Sequence, residues 1–271
     1  MAAKSRLGQN FLRDPQAVQR IVAALGDLSS RTVVEIGPGK GAITAALAAK
    51  AKRLIAIELD RELAWTLQER FSPEKGHANV IICRQDVLEF DFAAAAAQET
   101  NAGFGQPLLV VGNLPYYITS PILLRLAANA AALERAILMV QREVADRVAA
   151  KPGSRDYGLL SVTLQLYGSV EPLFTLPPEA FSPPPEVHST VFRWNFAPRF
   201  VELGVEEQPF IAFLKQVFAQ KRKTLSNNLR AAGFDQEKIA RAYEAAGLSA
   251  QVRAEAIAVE QLAGLWRTLA S

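Results

Sequence analysis

The chain has 271 residues, 50% hydrophobic and 21% charged, which is enough apolar material for one large core or for a large domain plus a small one. Thirty Lys and Arg against 27 Asp and Glu leave a formal net charge of +3 and an isoelectric point of about 9.0, a mild excess compatible with a polyanionic partner. Cys83 is the only cysteine, which excludes an intramolecular disulfide, and two histidines, His77 and His188, are too few for a histidine-rich metal site, so no metal is expected. The N-terminus is polar and basic without an apolar signal core, and no run is long and apolar enough to span a bilayer. A cytoplasmic protein is expected.

No internal repeat is present. Asp14-Pro15 reads as an N-cap followed by proline at the first helical position, opening a helix to about Leu25. Thr32 to Ile36 is a β-branched strand ending in a glycine-rich turn, and Ala42 to Ala51 is helical. Strands at Arg53 to Leu59, Val80 to Cys83, Leu108 to Val111 and Ala136 to Val140 follow. Helices at Arg61 to Phe71 and Ile122 to Ala128 alternate with them. Such βα alternation predicts a parallel sheet covered by helices on both faces. The alanine run Ala93 to Ala97 reads as a short surface helix. After a proline-rich loop, Pro177 to Pro185, comes a strand at Thr190 to Trp194. From about Phe200 the pattern becomes helical, at Gln208 to Ala219, Thr224 to Ala232, Glu237 to Ala245 and Val259 to Leu269. The expected organisation is a Rossmann-like α/β domain over residues 1–199 and a small all-helical domain over 200–271.

Three features fall at successive strand ends, where open parallel sheets bind ligands. The first is Glu35-Ile36-Gly37-Pro38-Gly39-Lys40-Gly41, whose glycines let backbone approach a ligand. Glu58 closes the second strand, where a carboxylate can accept from both ribose hydroxyls. Asp86 follows the third, where its oxygen can accept from an adenine amino group. Together they suit an adenosine-containing cofactor. The Gly-x-Gly-x-Gly spacing differs from the Gly-x-Gly-x-x-Gly of dinucleotide folds, which leaves a nicotinamide oxidoreductase as the weaker alternative.

The fourth strand runs into Gly112-Asn113-Leu114-Pro115-Tyr116-Tyr117. The Asn113 side-chain oxygen and a backbone carbonyl beside Pro115 can accept both N–H groups of an exocyclic amine, such as the N6 of adenine. Tyr116 offers a flat face for the base. Tyr117 reads equally as packing or as substrate contact. Phe181, in the stiff loop Phe181-Ser182-Pro183-Pro184-Pro185, is either core or the opposite wall of a base-flipping pocket. Between Gln208 and Phe234 lie Lys215, Lys221, Arg222, Lys223 and Arg230 with no acidic residue. That patch suits salt-sensitive phosphate binding, with an ordinary solvated helix face as the alternative. Arg6, Arg13 and Arg20 make the N-terminus basic as well.

Taken together, these motifs resemble the ribosomal RNA adenine N6-dimethyltransferase family, most nearly the branch that dimethylates two adjacent adenines near the 3′ end of bacterial 16S rRNA. The resemblance runs almost the whole chain. It begins at Leu7-Gly8-Gln9-Asn10-Phe11-Leu12, passes through Gly37, Gly39, Gly41, Glu58, Asp86 and Asn113 to Tyr116, and ends with the Phe181 loop and Gln220-Lys221-Arg222-Lys223-Thr224-Leu225. It implies S-adenosyl-L-methionine as cofactor, with Gln9, Asn10 and Leu12 lining the cofactor site beside Gly37, Gly39, Glu58, Asp86 and Asn113. Asn113, Leu114, Pro115, Tyr116 and Phe181 would form the catalytic site. It further implies an rRNA partner in the immature small subunit, a role late in its assembly and a link to kasugamycin sensitivity. The protein is expected to be monomeric. The related 23S rRNA methyltransferases of macrolide resistance, and a non-catalytic RNA-binding assembly factor, are the other readings. The second of these predicts a broken motif, and none is seen.

Overall fold

The computed structural model describes residues 10–101 and 106–270. In chain order the elements are β1 (Phe11–Leu12), α1 (Pro15–Leu25), β2 (Thr32–Ile36), α2 (Ala42–Ala48), β3 (Arg53–Glu58), α3 (Arg61–Arg70), β4 (Val80–Arg84), α4 (Phe92–Asn101), β5 (Leu108–Asn113), α5 (Thr119–Ala128), β6 (Leu133–Gln141), α6 (Arg142–Val148), α7 (Leu159–Leu166), β7 (Gly168–Leu176), β8 (Phe181–Ser182), β9 (Ser189–Phe196), α8 (Phe200–Leu203), α9 (Glu207–Val217), α10 (Leu225–Ala231), α11 (Gln236–Ala245) and α12 (Val259–Ala270). They form two compact units. One runs to Ala145 and takes in Ser169–Phe196; the other joins Asp146–Gly168 to the chain from Ala197 onward. The change near 196 lies close to the expected boundary at 199/200, but the segment 146–168 packs with the helical part.

The first unit is built on a seven-stranded sheet in the order β4-β3-β2-β5-β6-β9-β7. Strands β2 to β6 are mutually parallel, and β9 returns antiparallel along β6. The central strands are mostly apolar, and Thr32 to Ile36 and Leu108 to Gly112 are buried residue by residue, Glu35 included, as expected where helices cover both faces. One face carries Val33, Leu54, Leu109, Val111, Ile137 and Met139 into a single core with the apolar stripes of α1 and α2. The stripe on α1 is Ala17, Val18, Ile21, Val22 and Leu25. Its start is fixed as the sequence predicts, with Asp14 accepting from the N–H groups of Gln16 and Ala17 and Pro15 at the first helical position. A separate two-stranded ribbon pairs β1 with β8, Leu12 opposite Phe181.

The second unit is helical, from α8 to α12 with α7. Asn228 is buried in it and donates to the carbonyls of Val217 and Gln220. No described helix is long and apolar enough to cross a membrane.

Candidate cofactor and acceptor cleft

An open cleft of about 1040 Å³, solvent at its mouth included, lies at the carboxyl ends of β2, β3, β4 and β5. Its floor is the glycine loop after β2. Gly39 has φ +57, and a Cβ there would lie 2.8 Å from the Phe11 ring, so only glycine lets this loop pass beneath β1. Glu58, 3% exposed, fixes the loop. One of its oxygens accepts the Gly39 N–H at 3.0 Å, and the other accepts the Asp60 N–H at 2.9 Å. Burial raises the Glu58 carboxyl, and these two N–H groups partly offset the rise. Each carboxylate oxygen keeps a second lone pair for a ligand hydroxyl.

Two further carboxylates line the cleft. Asp86 uses one oxygen to accept the Leu88 N–H at 2.9 Å, which closes its own turn and orients the side chain. Glu35, 1% exposed, is pushed up to about 8 by burial, helped by the charge of Glu58, with Thr44 working the other way. Its Oε2 has no hydrogen-bond partner within the protein. A buried polar oxygen of this kind, on a residue lining a cleft, suits a ligand that brings a hydrogen-bonding partner for it.

The acceptor side is built from side chains. Asn113, at the end of β5, donates from Nδ2 to the carbonyl of Asn10 at 2.9 Å, 103 positions away in sequence. That bond fixes the amide's orientation and leaves Oδ1 as the acceptor. The Leu114 N–H is taken by the Met139 carbonyl at 2.9 Å. The Pro115 carbonyl accepts both the Ile118 N–H at 3.2 Å and the Thr119 hydroxyl at 3.0 Å. The carbonyl beside Pro115 that suits a substrate donor is therefore that of Leu114. Tyr116 is tied by its hydroxyl to Ser189 at 2.9 Å, and burial raises its phenol.

Of the residues expected from sequence, Asn10, Leu12, Gly37, Gly39, Glu58, Asp86, Asn113, Leu114, Pro115 and Tyr116 all line this one cleft. Gln9 and Arg6 lie outside the described residues. Phe181 is different. It is 2% exposed, belongs to the apolar core and does not line the cleft, so the expected stacking wall is absent in this conformation. Its backbone pairs with Leu12, and its side chain belongs to the buried core that also holds Leu12. Sequence reasoning missed Phe11 and Glu35. Phe11 rests on Gly39 and under the Lys40 ammonium, 4.8 Å from its ring centroid. Glu35 stood in the quoted glycine motif, but its burial becomes visible only with β2 at the centre of the sheet.

In the helical unit, Lys215, Lys221, Arg222, Lys223 and Arg230 are all exposed. The Lys221 ammonium donates to the Arg155 carbonyl at 2.7 Å, so it also ties the turn to the 146–168 segment. Residues 221–223 lie in the turn before α10, whose first turn is capped by Thr224.

The family model described as ribosomal RNA adenine dimethylase matches residues 1–270. The Ribosomal RNA small subunit methyltransferase A of Acidobacterium capsulatum is 61% identical over 266 residues, spanning 98% of this chain and 91% of the relative. That of Koribacter versatilis is 53% identical over 274 residues, spanning 99% and 95%. Among solved structures, a dimethyladenosine transferase from Plasmodium falciparum shares the fold, with a TM-score of 0.75 at 22% identity over 94% of this chain and 95% of that one. The 23S rRNA methyltransferase ErmE has a TM-score of 0.70 at 25% identity, covering 97% of this chain and 100% of its own. With its glycine loop, paired carboxylates and acceptor turn converging on one cleft, the chain belongs to the ribosomal RNA adenine dimethylase family.

Proposed function

We propose that the protein transfers methyl groups to N6 of two adjacent adenines near the 3′ end of 16S rRNA, giving N6,N6-dimethyladenosine late in small-subunit assembly. Membership of the family makes it an S-adenosylmethionine-dependent rRNA adenine methyltransferase. The small-subunit target is supported by the relatives at 61% and 53% identity, both named for that subunit. The observation that carries the mechanism is the Asn113 amide, locked by Asn10 with its oxygen left to accept.

The cleft fits the cofactor. Backbone at Gly37 and Gly39 gives close approach, Glu58 keeps lone pairs for ribose hydroxyls, Asp86 has an oxygen for the adenine amine, and Asn10 and Leu12 close one side. When bound, S-adenosylmethionine supplies an electrophilic methyl group on a sulfonium, so no covalent enzyme intermediate is needed. The adenine N6 is a poor nucleophile because its lone pair is delocalised into the ring. Asn113 Oδ1 and the Leu114 carbonyl accept its two N–H groups, which favours a pyramidal nitrogen with its lone pair directed at the methyl. Tyr116, held by Ser189, presents its ring to the base. The apolar walls exclude water, and the surplus proton leaves after transfer, so no histidine or cysteine base is required. The exposed basic residues of the helical unit contact rRNA phosphates, and the protein works as a monomer on the immature subunit in the cytoplasm.

The test is incubation with methyl-labelled cofactor and unmethylated small and large subunits, with mass spectrometry of the digested RNA. Dimethyladenosine at two adjacent positions of 16S rRNA is expected. Label in 23S rRNA, or none, contradicts the assignment.

A further inference from the structure

Tyr117 lines the same cleft as Tyr116 but keeps 58% of its surface exposed. Packing therefore does not account for it. Its neighbours are committed elsewhere: Leu114 is buried, Tyr116 is tied to Ser189, and Thr119 is buried with its hydroxyl on the Pro115 carbonyl. The Ile118 N–H bonds to the same carbonyl, and Pro115 sits at φ −60, so the turn beneath Tyr117 is braced on both sides. A large ring is thus held toward solvent by a fixed backbone at the mouth of the acceptor site. An exposed aromatic on a rigid support loses little conformational freedom when a flat ligand settles on it.

We propose that Tyr117 is a positioning residue whose ring stacks on the nucleotide next to the target adenine, holding the RNA strand at the cleft mouth while the target base is inside. The proposal rests on the function given above. In that substrate the neighbour of each target is itself an adenine, and a purine offers the largest face for stacking. Stacking at the mouth acts on RNA binding and not on the transfer step, because the accepting oxygens belong to Asn113 and Leu114 and the carboxylates of the cofactor side to Glu58 and Asp86.

The experiment compares Tyr117→Ala, Tyr117→Leu and Tyr117→Phe with wild type on unmethylated small subunits, with cofactor titration and thermal melting alongside. Loss of one base–aromatic stack should raise KM for the subunit roughly fivefold to 150-fold in the Ala and Leu variants. The Phe variant should keep the wild-type KM, and kcat, cofactor affinity and melting temperature should be unchanged in all three. A Leu variant equal to wild type would show that bulk alone matters and would overturn the proposal. So would an unchanged KM in the Ala variant, a weakened cofactor affinity or a fall in melting temperature. If the wild type itself fails to methylate small subunits, the functional assignment falls and this proposal with it. If the wild type methylates and Tyr117→Ala is indistinguishable from it, only this proposal falls.

Discussion

Strands β2 and β5 lie side by side and run in the same direction, yet the loops at their carboxyl ends are made of different materials. The loop after β2 is made of backbone. Glycines bring the chain close, and a carboxylate from the neighbouring strand, Glu58, holds it by accepting a main-chain N–H. The turn after β5 is made of side chains. Asn113, Tyr116 and Thr119 are each locked by a specific partner, Asn10, Ser189 and Pro115. Backbone suits a ligand that is always the same, because its groups cannot be changed by mutation. A side chain suits the reacting group, because the Asn113 amide oxygen can be aimed to complement the main-chain carbonyl of Leu114. On the proposed function, cofactor holding and substrate orientation fall to two adjacent strand ends.

The largest effect should come from the acceptor side. Asn113→Ala removes one of the two acceptors for the target amine and the tie to Asn10, and methyl transfer should fall by about 100-fold or more. A variant turning over at near wild-type rate on immature subunits would break the proposed division. The cofactor side should give a smaller loss. Glu58→Ala removes a carboxylate that accepts two N–H groups and is proposed to hold the ribose, and it should weaken cofactor binding by about 1.5–3 kcal/mol. Much of the lost rate should return at saturating cofactor, which raising the cofactor concentration in the transfer assay would show. The smallest effect belongs to neither loop. Reversing Arg222 and Lys223 to Glu should weaken small-subunit binding and flatten its salt dependence by about one unit of slope per lost phosphate contact. Lys221 is left in place because its ammonium bonds to the Arg155 carbonyl. An unchanged salt slope would remove these residues from the RNA contact.

Much of this was legible in the sequence, for identifiable reasons. Strands β2 and β5 are short, mostly apolar and flanked by Gly37 and Pro107, while β3 ends on Glu58 and β5 on Asn113, residues with chemistry to offer. Reading them in order places Gly39, Glu58 and Asn113 at one edge of the sheet. What escaped is what periodicity does not encode. Strands β1 and β8 have two residues each and pair across most of the chain, so no local pattern announces them. Their pairing sets Phe181 beside Leu12 in the core, and Asn10, just before β1, gives its carbonyl to the Asn113 amide. Strand β7 carries Glu171 and Pro172, which argue against a strand in a sheet interior, but β7 is an edge strand and tolerates both. The segment 146–168 sits between sheet strands in sequence and yet packs with the helical unit, which no composition shift signals. The burial of Glu35 follows only once β2 is seen to be central.

The division between the two loops is tested most directly by calorimetric titration of S-adenosylmethionine into Asn113→Ala and Glu58→Ala side by side. The account predicts that Asn113→Ala binds within about threefold of wild type, while Glu58→Ala binds roughly ten- to a hundredfold more weakly, the affinity equivalent of losing a charged hydrogen-bonding group. Equal weakening in both variants, or a loss confined to Asn113→Ala, would contradict it.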